Sequence, residues 1–361
     1  TIDFMSTATV SPGGGSGLTV PTVPVQEVGV VFDGSGVGAT SVTFQLVNSS
    51  ETPVITVKDN ADGSLTGTTG SVAVSDGALD FIRVNSGAAG DTSVINDYTM
   101  TTDDVLTVHA SRYDGHGNYI GDSPGTTSWA AGLPFDGGDL SAGVGTSVDF
   151  VPDNVGSVVS AVTATDGVEV DSTGTITVNP GGVSYIEAVT DLAGDATAGG
   201  TFSVIITAYD VDGNVKTDYA GLKTVNWAHT AGNAPDLTVP VVPVDGFRTF
   251  NSGIATVPGF MLVRAEAGVT ITPTVDPLGD NMSDATPGVT VVAGIADYYD
   301  VATQNGGVEG ADTAFTLTVS TYDEYGNAAS GYVGAHTIDF MSTATVSPGG
   351  GSGLTVPAVP V

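Results

Sequence analysis

Cysteine is absent from this chain, so no disulfide, thiolate metal site or cysteine nucleophile contributes to its fold or chemistry. Positive charge is scarce: 7 Lys and Arg stand against 40 Asp and Glu, a formal net charge of −33. That balance excludes nucleic acid as a partner, because nothing would neutralise its phosphates. No apolar run approaches the roughly 18 residues of a membrane span, so no membrane insertion is expected in this segment. The opening Thr1-Ile2-Asp3-Phe4-Met5 lacks the basic start of a signal peptide, which places the expected natural N-terminus upstream. Leu, Lys, Arg and Glu are rare, which removes most good helix formers; Gly, Thr, Val, Ser, Asp and Ala remain, and the chain reads as all-β.

The acids are mostly Asp, a residue of turns and of short oxygen-ligand loops. A surface this acidic needs counter-ions, so the expectation is either divalent cations, Ca²⁺ outside a cell above all, or a salty habitat. The length of 361 residues exceeds one compact sandwich and suits about three modules of roughly 100 residues.

Repeats organise the chain. Residues 1–25 recur as 337–361 with 24 of 25 positions identical, the exception being Thr22 against Ala358, which sets a period of 336 residues. Inside the period lies an older triplication, marked by Tyr113-Asp114-Gly115-His116-Gly117-Asn118, Tyr209-Asp210-Val211-Asp212-Gly213-Asn214 and Tyr322-Asp323-Glu324-Tyr325-Gly326-Asn327. The shared pattern is Y-D-x-x-G-N. Ahead of each, apolar residues alternate as on one buried strand face: Leu106, Val108 and Ala110; Phe202, Val204 and Ile206; Phe315, Leu317 and Val319. A large aromatic, Trp129, Trp227 or Phe340, follows 16 to 18 residues after each Tyr and is expected to plug each core.

Short turns near residues 76, 180 and 293 mark the expected module junctions. They define complete modules at 77–180 and 181–293, a C-terminal part of a module at 1–76, and an N-terminal part at 294–361 that the next copy would complete. The Y-D-x-x-G-N turn, the strand before it, and ends such as Gly63-Ser64-Leu65-Thr66-Gly67-Thr68-Thr69-Gly70-Ser71-Val72 resemble the bacterial Ig-like repeats of large surface adhesins, the invasin-type and other "big" modules. The resemblance covers essentially the whole chain. It implies tandem immunoglobulin-like antiparallel β-sandwiches of seven or eight strands in an elongated array, serving as stalks or adhesive arrays at a cell surface or outside it.

Two readings of the Y-D-x-x-G-N loops stand side by side. One is a β-turn whose Gly and Asn take positive φ and whose Asp caps backbone N–H groups. The other adds Ca²⁺, with Asp210, Asp212 and Asn214 as the fullest ligand set, and Asp114 with Asn118, and Asp323 with Glu324 and Asn327, as thinner ones; the bidentate Glu of an EF-hand is absent. Asp76, Asp80, Asp297 and Asp300 are further cation candidates near the junctions. Gly121-Asp122-Ser123-Pro124-Gly125 fits G-x-S-x-G literally, yet a nucleophile elbow needs a helix after the serine, and Pro124 follows in a polar β segment. His109, His116, His229 and His336 occupy unrelated module positions, so no triad repeats and no enzyme is expected. Tyr298, Tyr299, Tyr322, Tyr325 and Tyr332 could form a patch for glycan or protein, or serve as ordinary strand residues.

The leading functional reading is a structural segment of a long extracellular filament or adhesin stalk whose partners are neighbouring copies, head to tail. Ligand-binding adhesin modules that grip a host glycan or protein, and a spacer in a large secreted enzyme, are the alternatives. Copies could follow one another in one polypeptide, or as subunits joined by strand complementation. The covalent array is favoured, because in the second case the duplicated residues 1–25 and 337–361 compete for one place.

Overall fold

The computed structural model describes residues 1–14, 25–90, 93–276, 278–311, 313–351 and 353, and these form strands, turns and a single 3₁₀ turn at Gly137–Asp139. They fold as two compact units, 1–183 with 209–216, and 184–208 with 217–361.

The first unit begins with a four-stranded antiparallel sheet in the order Val25–Glu27, Ile2–Ser6, Ile55–Asp59, Thr66–Thr68. Ile2–Ser6 lies in its interior, and Phe4 is turned inward against Phe44 at 5.2 Å. A full sandwich follows. One sheet pairs Leu79–Asn85, Leu106–Asp114 and Ser147–Phe150, with Tyr119–Asp122 beside the middle strand. The other face holds Ser128–Ala131, Val162–Asp166 and Glu169–Ser172, and next to it Tyr98–Thr101, Thr175–Asn179 and Gly156–Val159. Alternation places Leu106, Val108, Ala110, Val148 and Phe150 from one side against Trp129, Val162, Ala164 and Ile176 from the other in one apolar core.

The second unit repeats the scheme. Tyr185–Thr190, Thr201–Tyr209 and Ile254–Met261 make one sheet; Gly246–Phe250, Gly221–His229, Ile271–Val275 and Met282–Ser283 make another. Phe202, Val204, Ile206, Phe250, Phe260 and Ile271 are buried between them. Trp227 is only half-buried, its ring edge-on to Phe260 at 4.9 Å. The protein is all-β, built from immunoglobulin-like β-sandwiches.

Among the described residues, the expected seven or eight antiparallel strands become ten shorter ones in each of the stretches 79–179 and 185–292, and each stretch holds one parallel pair, Tyr98–Thr101 with Thr175–Asn179 and Ala196–Thr197 with Val289–Val292. The parallel pair arises because the first strand breaks and switches sheets. Its second piece runs beside the last strand in the same direction. A carboxylate from far along the chain meets the first piece of this strand each time: Asp171 accepts from Val84 N at 2.7 Å and Asp284 from Ala188 N at 2.9 Å. Among the described residues no strand pairing joins the two sides of 77, 181 or 294.

The last stretch departs from expectation. Tyr298–Thr303 and Leu317–Tyr322 form a two-stranded hairpin, but Phe315 and Leu317 are 41% and 40% exposed and Phe340 is 44% exposed. No opposing sheet covers that face among the described residues, so the predicted core positions here have nothing to pack against.

Candidate functional site

The three Y-D-x-x-G-N loops take one geometry. Each follows the end of a strand, turns back so that the Asp N–H donates to the Asn carbonyl (Asp114–Asn118 3.1 Å, Asp210–Asn214 3.0 Å, Asp323–Asn327 2.9 Å), and needs positive φ at its glycine: 78° at Gly117, 87° at Gly213, 79° at Gly326. The asparagines do not take positive φ, contrary to the β-turn expectation. Their side chains have a different task.

Asp114, Asp210 and Asp323 are 2%, 0% and 1% exposed, and their carboxylates are ringed by donors. One oxygen accepts two backbone N–H groups of its own loop: His116 and Asn118 at 2.9 Å, Asp212 at 3.1 Å and Asn214 at 2.8 Å, Tyr325 at 3.0 Å and Asn327 at 2.8 Å. The other accepts the amide of the loop's Asn, at 2.8, 3.0 and 2.8 Å, together with the N–H of a glycine far upstream: Gly77 at 2.9 Å, Gly181 at 3.1 Å, Gly294 at 2.8 Å. Thr102 Oγ1 adds a further donor to Asp210 at 3.0 Å. These glycines open the three repeats, one residue after the turn positions read from the sequence.

Each Asn then reaches a backbone ahead of that glycine. Asn118 Nδ2 donates to Val47 O at 2.7 Å and its Oδ1 accepts from Ser49 N at 3.2 Å; Asn327 Nδ2 donates to Val263 O at 2.8 Å and its Oδ1 accepts from Ala265 N at 2.8 Å. A carboxamide carries a donor and an acceptor side by side, as a peptide group does, so it pairs with residues i and i+2 of an extended segment as a neighbouring strand would. Asn214 makes the first of these bonds, to Asp153 O at 2.9 Å. The Asp and Asn thus form a clasp. It ties the loop, the first glycine of its own repeat, and a backbone segment of the repeat before.

Close approach makes the glycine matter. A Cβ at Gly181 would stand 2.6 Å from both carboxylate oxygens of Asp103, one of which accepts from Gly182 N at 2.6 Å. Neither the glycines, nor Thr102, nor the carbonyls of Val47, Asp153 and Val263 were identifiable as partners from the sequence; backbone acceptors leave no signal there.

Burial works against ionisation of Asp114 and Asp210, and the donors outweigh it: the Asn118 amide and Gly77 N–H for Asp114, and the Asn214 amide and N–H for Asp210, hold both below the ordinary carboxylate range. A depressed folded-state value contributes stability that is complete above the unfolded Asp value of about 3.9 and is lost as pH falls through the folded one. The melting temperature is therefore expected to hold from pH 8 to about 5 and to fall below about 4, with a shallower fall in Asp210→Asn. An equal fall in both proteins would mean that other groups carry the acid response. Crowding has the opposite effect on Asp153, raised by burial and by the charges of Asp139, Asp136 and Asp212.

Of the residues expected to bind Ca²⁺, Asp114 with Asn118, Asp210 with Asn214, and Asp323 with Asn327 are brought together in pairs whose oxygens face N–H and O–H donors. Asp212 is exposed and joins the pair through its backbone N–H, and Glu324 adds no bond to the clasp. Among the described residues no group of three or more His, Asp or Glu side chains is disposed to hold a metal ion. In the G-x-S-x-G stretch, Ser123 is buried and no α-helix follows it among the described residues. Tyr298 stacks on Tyr322 at 5.5 Å, and Tyr299 and Tyr332 share a hydroxyl contact of 2.5 Å with His336 stacked on Tyr332 at 3.9 Å. Tyr325 lies against Gly199.

No family model matches the chain, and no curated protein matches it at a significant level. Solved structures similar to it include FdeC, an Escherichia coli adhesin (19% identity, 72% of this chain and 79% of that one, TM-score 0.33). Others are the Yersinia pseudotuberculosis adhesin InvE (14%, 54% and 56%, TM-score 0.22) and domains 5–6 of the S-layer protein SbsC (15%, 60% and 98%, TM-score 0.20).

Proposed function

We propose that this chain is a structural segment of a long extracellular filament or cell-surface adhesin stalk with a 336-residue period. Its modules are 77–180 and 181–293, flanked by the parts 1–76 and 294–361. The observation that carries this reading is the Asn Nδ2 of each loop donating to a backbone carbonyl of the repeat before it, three times over. Buried, charge-assisted hydrogen bonds repeated at every loop suit a structural array more than a set of independent binding heads. The segregation of strand pairing at 77, 181 and 294 supports the same modular division.

An antibody raised against the chain is expected to label fibres on the surface of the source cell at regular intervals. Labelling confined to the cell interior would sink the proposal. Direct glycan or host-protein binding by the isolated chain would favour the ligand-binding adhesin. Ca²⁺ at the Y-D-x-x-G-N loops is a separate proposal resting on the net charge of −33 and the Asp-rich turns. It requires chelator at constant ionic strength to lower the melting temperature, and unchanged melting would leave the clasps to hydrogen bonding alone.

A further inference from the structure

Seven Lys and Arg serve the whole chain, and two of them stand together. Lys223 and Arg248 are directly opposite each other on the adjacent strands Gly221–His229 and Gly246–Phe250, where like charges repel. Arg112 is paired with Asp166 at 2.9 Å and Arg264 with Glu266 at 3.6 Å, but among the described residues no carboxylate pairs with Lys223 or Arg248. Lys223 Nζ lies over the Tyr219 ring at 4.2 Å. Arg248 donates to the carbonyls of Val244 at 2.6 Å and Phe247 at 2.8 Å, which leaves the rest of its guanidinium to an outside acceptor. Beside it is an open cleft of about 550 Å³ lined by Arg248, Thr249, Asn251, Ile254 and Thr256. Val225 and Phe250 face the core, so alternation turns Leu222 and Phe247 outward, where they are 66% and 67% exposed. An uncompensated positive pair with an apolar border is thus set into a chain of net charge −33.

Its negative counterpart lies on the sandwich 79–179 and the loop 209–216. Asp136, Asp153 and Asp212 are exposed there, and Asp139 is buried. Partial burial and the charges of Asp139, Asp136 and Asp212 raise Asp153, so these carboxylates repel one another, and among the described residues no Lys or Arg pairs with any of them. Exposed Val211 adjoins Asp212.

We propose that Lys223 and Arg248 of one chain receive Asp212 and Asp153 of a second copy, with Phe247 and Leu222 against Val211, so that arrays associate side by side. This rests on the filament reading and adds a lateral contact to it. Charge complementarity selects the partner. A surface of this charge repels its own copies, and the exception is a place where an unpaired cationic couple meets a crowd of carboxylates whose mutual repulsion it relieves. The cleft beside Arg248 adds the Thr249 and Thr256 hydroxyls and the Asn251 amide as donors to an entering carboxylate. Both patches belong to sandwiches whose two sheets are present in full, so their exposed residues are outer-face and loop residues and not an uncovered core. The patches differ from each other, so the contact is heterologous, and every copy offers both halves of it.

The absence of cysteine makes the test direct. The full chain carrying Phe247→Cys is mixed in equal amount with the full chain carrying Val211→Cys and oxidised slowly, and the disulfide-linked dimers near twice 35.9 kDa are sorted by the masses of their cross-linked peptides. Chance collision gives as much mixed dimer as the two like dimers together. Docking is expected to give the mixed dimer in clear excess. Asp212→Lys in the second chain changes an exposed side chain and should remove the excess, Arg248→Glu in the first should do the same, and the two reversals together should restore it. Chance proportions from the first mixture, or an excess that survives either reversal alone, overturns the lateral contact. Chance proportions with Arg248-dependent retention of the chain on an immobilised polyuronate would assign the cleft to an acidic glycan and likewise overturn it. Chance proportions together with antibody-labelled surface fibres remove the lateral contact and leave the filament reading standing; the excess without surface fibres does the reverse.

Discussion

Asp210→Ala is expected to destabilise the protein by about 3 kcal/mol, while Asp212→Ala two residues away changes stability by less than about 0.5 kcal/mol. The difference follows from what each side chain touches. Asp210 is fully buried and accepts from Asp212 N, Asn214 N, the Asn214 amide, Gly181 N and Thr102 Oγ1. Removing it leaves several buried donors without an acceptor, and each unsatisfied group costs its full desolvation. Asp212 is exposed and belongs to a crowd of like charges with Asp136, Asp139 and Asp153, so its loss relieves repulsion. Thermal unfolding of the two variants decides the matter. A Ca²⁺ loop would make Asp212→Ala the comparably harmful change in the presence of the ion, and that result would overturn the clasp as a hydrogen-bonded device.

Trp129→Ala is expected to cost about 4 kcal/mol, and Phe340→Ala in dilute solution about zero. Trp129 follows the Tyr of its Y-D-x-x-G-N loop by 16 residues and Phe340 follows its own by 18. Trp129 is enclosed by the core of 79–179 and its indole N–H donates to Gly145 O at 2.9 Å, so truncation opens a cavity and strands a polar group. Phe340 is 44% exposed, with no sheet over it among the described residues. Denaturant melts of both variants test this. An equal cost would mean that residues 294–342 pack as fully as 79–179 do.

Much of the fold was legible because it is periodic. Alternation at Leu106, Val108 and Ala110, and at Phe202, Val204 and Ile206, is a local property of a strand, and both sets are buried. The same reasoning misjudged Phe315 and Leu317, because alternation says which side a residue faces and nothing about whether an opposing sheet is present. The sheet switch has no sequence signal, and the carboxylates that meet the first strand, Asp171 at Val84 and Asp284 at Ala188, lie 87 and 96 residues away. The loops were found for their turn chemistry, and the Asp was rightly read as a cap on N–H groups. The Asn was assigned to backbone geometry when its amide is the working part.

From the sequence alone came the all-β composition, the 336-residue period, and the places where the chain must turn, because residue type and spacing determine these locally. Tertiary structure alone decided the partners. Asn327 bonds to backbone atoms of residues 263 and 265, and backbone atoms are the same in every residue, so no pattern announces them. Residues 2–6 and 338–342 make the point most directly: one sequence is a core strand where a sheet is offered and an exposed segment where none is, since a strand's stability resides in the neighbours that accept its hydrogen bonds and bury its phenylalanine.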